Sequence, residues 1–303
     1  MTLLKNNFDQ FTINGPYTYK NLSLFSIQTS QKEQNKYVCW GDDNLENFTI
    51  AEKDQAEVPY ILISNTNDFP VFILDGTLLE GCKQNRITDM SLMIPANTEN
   101  FEIPVSCVEQ GRWHNDSNIN RFNKSKNMLY HKARFLKMKS VNEHKKASQQ
   151  TIWASIDEKA SNLGSTSSSS AMDGIYEKQQ ETMREFSQVF KVEKNDVGLI
   201  YAINNNIVGI DLFTHPGILQ FYFLSILQSL ALDCVEVEDK ESAPSKLDAT
   251  NFLKHVLASN FEEWIFLNPS TLHKAETDIA HSNLLFFQQK FVHLSAFPTK
   301  LKY

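Results

Sequence analysis

An α+β fold is the expectation for this 303-residue chain: an antiparallel β-sandwich-like N-terminal unit, a helical connector and a second α+β half. Three observations carry it. Short apolar runs separated by turn residues crowd residues 58–108. Helical periodicity begins only after about residue 150. The last hundred residues then mix a hairpin, one long apolar helix and closing strands. The expected division is 1–114 for the β unit, 115–195 for a basic segment and connector, and 196–303 for the α+β half.

Taken in order, Leu22-Ser23-Leu24-Phe25-Ser26-Ile27 alternates apolar and polar residues and predicts a strand. Tyr37–Trp40 is a shorter candidate, followed by the turn cluster Gly41-Asp42-Asp43-Asn44. Tyr60–Ser64 and Val71–Asp75 flank Asn65-Thr66-Asn67-Asp68, which predicts a hairpin. Met90–Ile94 and Asn100–Val108, split by Pro95-Ala96-Asn97, predict a second. Pro104 donates no N–H, so it belongs at an edge or a bulge. Trp153–Leu163 predicts a short helix, and Ile175–Phe190 an amphipathic one through Met183, Phe186 and Phe190. Between them Gly164–Ser170 is a low-complexity loop.

In the last part, Val197–Ile203 and Ile207–Phe213 flank three asparagines that tolerate a tight hairpin. Pro216 suits the first turn of a helix running to Cys234. That run is interrupted by Gln220, Ser225, Gln228 and Ser229, so a buried core helix explains it better than a membrane span. Ser245-Lys246-Leu247-Asp248 has the form of a capping box for a helix ending near Phe261. Ser282–Phe287 and Lys290–Phe297 read as closing strands.

Composition narrows the function classes. The net charge of −7 argues against a general polyanion binder. The charge is segregated, however. Residues 115–150 hold nine Lys/Arg (Arg121, Lys124, Lys126, Lys132, Arg134, Lys137, Lys139, Lys145, Lys146) against Asp116 and Glu143, so the segment is +7 and the rest of the chain −14. No ladder of aromatic residues is interleaved with these cations, so nucleic acid is not the expected partner; a solvated face or a protein partner is. The N-terminus lacks a basic region followed by an apolar one, and Cys39, Cys82, Cys107 and Cys234 are widely spaced, which together point to a cytoplasmic protein without a disulfide framework. No H-E-x-x-H, C-x-x-C, G-x-G-x-x-G or P-loop pattern occurs, so neither a metal site nor a nucleotide loop can be argued, and the cofactor stays unassigned.

Functional groups concentrate in residues 70–114. Lys83-Gln84-Asn85-Arg86 offers cationic and amide donors, and Arg86 can fork onto a carboxylate or phosphate. Gln110 and a second fork, Arg112, stand beside Trp113, whose face suits a base or sugar. Neighbouring side chains of an extended segment point to opposite faces, so Gln84 and Arg86 form the natural pair toward one ligand. The alternative is a buried polar network in which Arg86 pairs with Glu109 or Glu80. Glu80, Glu109 and Asp211 are the carboxylates suited to acid/base work or to holding a ribose hydroxyl. Cys82 and Cys107 read as structural cysteines, with only His114 near either in sequence.

The chain resembles the ARG and rhodanese-phosphatase-superfamily-associated protein domain family of bacteria. The resemblance is carried by Leu74-Asp75-Gly76, Leu79-Glu80-Gly81, Lys83-Gln84-Asn85-Arg86 and Val105-Ser106-Cys107-Val108-Glu109-Gln110-Gly111-Arg112-Trp113. Val208–Phe213, Leu230–Asp233 and Phe291–Phe297 extend it, so it spans roughly residues 15–298. Thr77 replaces the usual acidic residue, and Cys82 replaces a small one. The resemblance implies a link to ADP-ribose or nucleotide signalling by genomic association, without a settled reaction. The expected function is therefore a cytoplasmic ligand-binding or regulatory module recognising an anionic, nucleotide-like or ADP-ribose-like molecule. The alternatives are an enzyme on such a substrate, and a protein-interaction module using residues 115–150.

Overall fold

The computed structural model describes residues 10–30, 38–43, 45–53, 58–109, 111, 121–165 and 172–303. The first strands are β1 (Phe11–Tyr19), β2 (Leu22–Thr29), β3 (Val38–Cys39), β4 (Phe48–Ala51), β5 (Tyr60–Asn65) and β6 (Val71–Ile73). Next come β7 (Thr77–Gly81), β8 (Arg86–Thr88), β9 (Leu92–Ile94), β10 (Thr98–Cys107) and β11 (Phe122–Met128). Four helices follow: α1 (His131–His144), α2 (Gln149–Asn162), α3 (Asp173–Lys178) and α4 (Gln180–Val189). The chain then forms β12 (Asp196–Ile203), β13 (Asn206–Phe213), α5 (Pro216–Cys234) and α6 (Lys246–Ala258). It closes with β14 (Glu262–Leu267), β15 (Ser270–Glu276), β16 (Ala280–Phe287) and β17 (Lys290–Pro298).

The α+β class stands, but the chain divides elsewhere than expected. One compact unit is residues 37–184; the other joins residues 1–36 to 185–303. The expected boundaries at 114/115 and 195/196 do not coincide with this division. The cause lies in β2. Leu22 to Ile27 are all buried, serines included, so this strand needs cover on both faces. It finds that beside β12, pairing antiparallel from Leu22–Ile203 to Ile27–Gly198.

In the split unit an eight-stranded sheet runs β1-β2-β12-β13-β17-β16-β15-β14. One face packs Phe25, Ile27, Ile200, Ile210, Leu212, Leu284 and Leu294 against Ala249, Phe252, Leu253, Val256 and Leu257 of α6. Ser245 and Asp248 close the expected capping box. Helix α5 lies against β2, β12 and β13. All eight residues of β12 are buried, as a strand covered on both faces requires. Helix α5 is the one helix among the described residues long and apolar enough to cross a membrane, and 67% of its most apolar window is buried. The hairpin β12–β13 and the strands β16 and β17 match expectation; β14 and β15 were not anticipated.

In the other unit a six-stranded sheet runs β11-β7-β8-β10-β5-β4, beside a three-stranded sheet β3-β6-β9. Neither expected hairpin forms here. Strand β5 pairs with β4 and β10, while β6 pairs with β3 and β9. The Asn65–Asp68 cluster is a bracket and not a hairpin turn: the fully buried Asn65 amide donates to Phe69 O and Pro95 O, each at 2.9 Å. Pro104 sits where β10 changes partner, from β5 through Pro104 to β8 from Val105 onward. Its missing N–H falls at that changeover. The expected single helix over 175–190 is broken at Gln179 into α3 and α4.

Candidate functional site

Residues 70–109 contribute strands β6 to β10 to the unit formed by residues 37–184. Strands β7 and β8 pair antiparallel, with Leu78 opposite Ile87 and Leu79 opposite Arg86. The corner between them needs two residues with positive φ, Gly81 at 125° and Cys82 at 50°. A Cβ on Gly81 would lie 2.9 Å from Arg121 O, so glycine is required both by conformation and by space. Asn85 clamps the corner, its side-chain oxygen accepting from Gly81 N at 3.0 Å.

Burial alternates through the turn. Cys82, Gln84 and Arg86 point inward, and Lys83 and Asn85 lie half-buried. Gln84 and Arg86 do share a side, but it is the interior one. Arg86 is 0% exposed and donates from Nη1 to Gln84 Oε1 at 2.9 Å. Gln84 donates onward to Glu109 O at 3.0 Å, and Glu52 lies 3.9 Å from Arg86 Nη2. This is a buried polar network in which Arg86 bonds Gln84 and lies near Glu52, a partner the sequence reading did not name. The expected direct approach of that pair to a ligand does not fit this burial, since neither side chain opens to solvent.

A second buried cluster pins α1 to the same strands. Asp75 accepts from Arg134 Nη2 at 2.8 Å, Arg134 Nε at 3.3 Å and Lys137 Nζ at 3.0 Å. Lys137 also donates to Thr88 O and Asp89 O at 3.2 and 2.9 Å. Burial holds the Lys137 ammonium below its ordinary range, against the pull of Asp75 and Asp89. Burial pushes the Asp89 carboxyl up to about 6, although Ser106 Oγ donates to it at 2.7 Å. Two residues of the basic segment are thus internal ties. Lys132 pairs with Glu158 at 3.0 Å, and Arg121, Lys126, Lys139, Lys145 and Lys146 are exposed.

The half-buried side of the corner collects carboxylates. Glu109, 5% exposed, accepts Asn85 N at 3.2 Å through Oε2. Asp173, at the start of α3, accepts Asn85 Nδ2 at 3.1 Å and Asn127 Nδ2 at 3.4 Å. Burial, then the neighbouring charge of Glu80, push the Asp173 carboxyl up to about 6, with Glu109 and Glu177 adding to the rise. Glu80 and Glu109, singled out from sequence, are therefore brought together with a third carboxyl that sequence reasoning missed. Asp173 follows a low-complexity loop, and no spacing ties it to residue 80 or 109. Asn127, on β11, carried no signal either. Met172 N bonds Val108 O at 3.3 Å, which brings the start of α3 to the end of β10.

The remaining expected residues fall elsewhere. Gln110, Arg112 and Trp113 lie outside the described residues. Asp211 belongs to the split unit, on the central strand β13, and is 0% exposed. It accepts Tyr201 Oη at 2.9 Å and lies 3.0 Å from His293 Nε2, while Phe213 stacks on His293. Asp211 is thus a buried carboxylate held by Tyr201 and His293, apart in sequence and in unit from Glu80 and Glu109. The four cysteines are free and buried. Cys107 donates to Glu109 O at 3.3 Å, and burial raises its thiol, so it stands as a structural residue. Thr77 donates to Leu74 O at 2.6 Å and closes the turn before β7. Among the described residues no group of three or more His, Cys, Asp or Glu is placed to hold a metal ion.

A profile of the ARG and Rhodanese-Phosphatase-superfamily-associated Protein domain family matches residues 10–297. No curated protein and no solved structure matches the chain.

Proposed function

The chain belongs to the ARG and Rhodanese-Phosphatase-superfamily-associated Protein domain family, and on that premise we propose that it is a ligand-binding or regulatory module tied to ADP-ribose or nucleotide signalling, with its site on the half-buried side of the β7–β8 corner. What carries this reading is the convergence of Glu80, Glu109 and Asp173 with the amides of Asn85 and Asn127. Carboxylates accept from the paired hydroxyls of a ribose. They repel a phosphate, so the anionic part of the ligand is assigned to Lys83, which shares the half-buried side with Asn85. Gln110, Arg112 and Trp113 stay in the proposal on sequence alone. Gln84 and Arg86 work from behind, fixing the corner's backbone. A bacterial cytoplasmic location belongs to the same proposal, supported by four free cysteines.

One observation favours the enzyme reading as second. A carboxyl held near 6 beside two others is the arrangement that separates an acid from a base at neutral pH. Asp173 would carry the proton, and Glu80 or Glu109 would take one. A protein-interaction role for residues 115–150 would rest on the exposed Arg121, Lys126, Lys139, Lys145 and Lys146, because Arg134 and Lys137 are committed inside.

The test is a thermal-shift and turnover screen of the full chain with ADP-ribose, NAD and cyclic nucleotides. A ligand at about 100 times its dissociation constant adds roughly 2.7 kcal/mol to stability. Binding that weakens in Asp173→Asn and Glu109→Gln supports the module. Turnover lost in Glu109→Gln while binding persists selects the enzyme. No shift with any probe rejects both.

A further inference from the structure

In the unit of residues 1–36 and 185–303, a cleft of about 490 Å³ opens at one end of the eight-stranded sheet. Its walls come from three places. Asn205, Asn206 and Ile207 stand at the β12–β13 turn, Pro244 and Asp248 at the entry to α6, and Pro298, Thr299, Lys300 and Lys302 after β17. The volume lies in the range of small-molecule sites.

Each wall is fixed by buried or backbone bonds. Asn204 at the turn is 1% exposed; it donates to Glu238 O at 3.0 Å, accepts from Lys240 N at 2.9 Å, and its N–H bonds Asn21 O at 2.7 Å. Thr299 bonds Ile279 O through its N–H at 3.0 Å and Asp278 O through its hydroxyl at 3.2 Å. Tyr303 donates to Asp233 Oδ2 at 3.1 Å. The segment carrying Lys300 and Lys302 is therefore tied at both ends, and both lysines line the cleft.

The donors in this cleft are not committed. Among the described residues Lys300 and Lys302 have no ion-pair partner, and the side-chain amides of Asn205 and Asn206 make no hydrogen bond. Asp248 is committed on one side only. Its Oδ2 accepts Ser245 N at 2.9 Å and Ser245 Oγ at 2.6 Å, which keeps its carboxyl charged below the usual range. Among the described residues its Oδ1 accepts no hydrogen bond. Two lysines, two asparagines and one available carboxylate oxygen lining one cleft suit a ligand with an oxyanion at one end and a hydroxyl donor near it.

We propose that this cleft is a second ligand site, distinct from the β7–β8 corner, that takes a small phosphorylated sugar: phosphate on Lys300 and Lys302, a hydroxyl on Asp248 Oδ1, and the Asn205 and Asn206 amides between them. Calorimetric titration of the full chain with ribose 5-phosphate, inorganic phosphate and neutral ribose tests this. Ribose 5-phosphate binds tightest, neutral ribose does not bind, and added salt weakens the interaction. Lys300→Gln and Lys302→Gln each weaken it roughly tenfold, the loss of one charge-assisted bond, and Asp173→Asn leaves it unchanged. Phosphate binding as tightly as ribose 5-phosphate would remove Asp248 from the proposal. Absence of binding at millimolar concentration, or equal affinity in the double lysine variant, would overturn it. Because the corner is probed by Asp173→Asn and the cleft by the lysine variants, failure of either site is read separately.

Discussion

Replacing Asp75 by asparagine tests how the 37–184 unit is held together. Asp75 is 4% exposed and accepts three bonds from Arg134 and Lys137, which are 0% and 1% exposed. Asparagine keeps the shape and removes the charge, so two buried cations lose their shared anion. Breaking a buried ion pair from one side costs about 3–5 kcal/mol, because the partner's desolvation is no longer offset. Set against a typical stability of about 5–15 kcal/mol, that leaves a marginal fold. At roughly 2–4 °C per kcal/mol for a domain of this size, melting falls by about 10 °C. Guanidinium denaturation gives the free energy directly. The pH dependence gives an independent check. Burial already lowers the Lys137 pKa, and losing Asp75 lowers it further. A base whose folded pKa is depressed binds fewer protons folded than unfolded, so stability rises with pH above that folded pKa. In Asp75→Asn the rise starts at lower pH than in the parent. A triple variant Asp75→Leu, Arg134→Leu, Lys137→Met recovers part of the loss, since it removes both cations with their anion, while the buried Asp89 loses the Lys137 charge beside it. A loss below about 1 kcal/mol in Asp75→Asn would refute this account of the cluster.

Three further outcomes are expected. Asp89 and Asp173 both titrate near 6 in the fold against an ordinary 3.8, so the folded chain holds extra protons between these values and stability falls as pH rises from about 4 to 6; Asp89→Asn flattens that fall in denaturation curves. Tyr201→Phe takes one donor from the buried Asp211 and costs about 1–3 kcal/mol by thermal melting. Gly209→Ala costs at least as much, since its Cβ would lie 2.5 Å from Tyr201 Cε2; an unchanged melting temperature would contradict the close approach.

Much of the second half was legible because its signals are local. The asparagine turn, Pro216 at the start of α5 and the Ser245–Asp248 box each act within four residues. Strands β14 and β15 were not, since Glu262-Glu263 and the short apolar run after them give no clear period. In the 37–184 unit, neighbouring strands enter different sheets, and nothing between Asn65 and Asp68 distinguishes a hairpin turn from a bracket held by Asn65. The corner's composition marked a dense cluster of polar contacts. Its polarity did not follow from sequence, however, because whether Arg86 faces solvent or Gln84 depends on Glu52 and Glu109 arriving from other strands. Asp173 reaches the site from 88 residues beyond Asn85, a separation no pattern encodes.

The most direct test of the carboxylate site is the pKa of Asp173, followed by NMR of its side-chain carboxyl carbon with and without ADP-ribose. The account predicts titration near 6 in the free protein, a fall toward the ordinary range in Glu80→Gln, and a displacement when ADP-ribose binds. Titration at about 3.9, the value for an unperturbed aspartate, with no response to ADP-ribose, would contradict it.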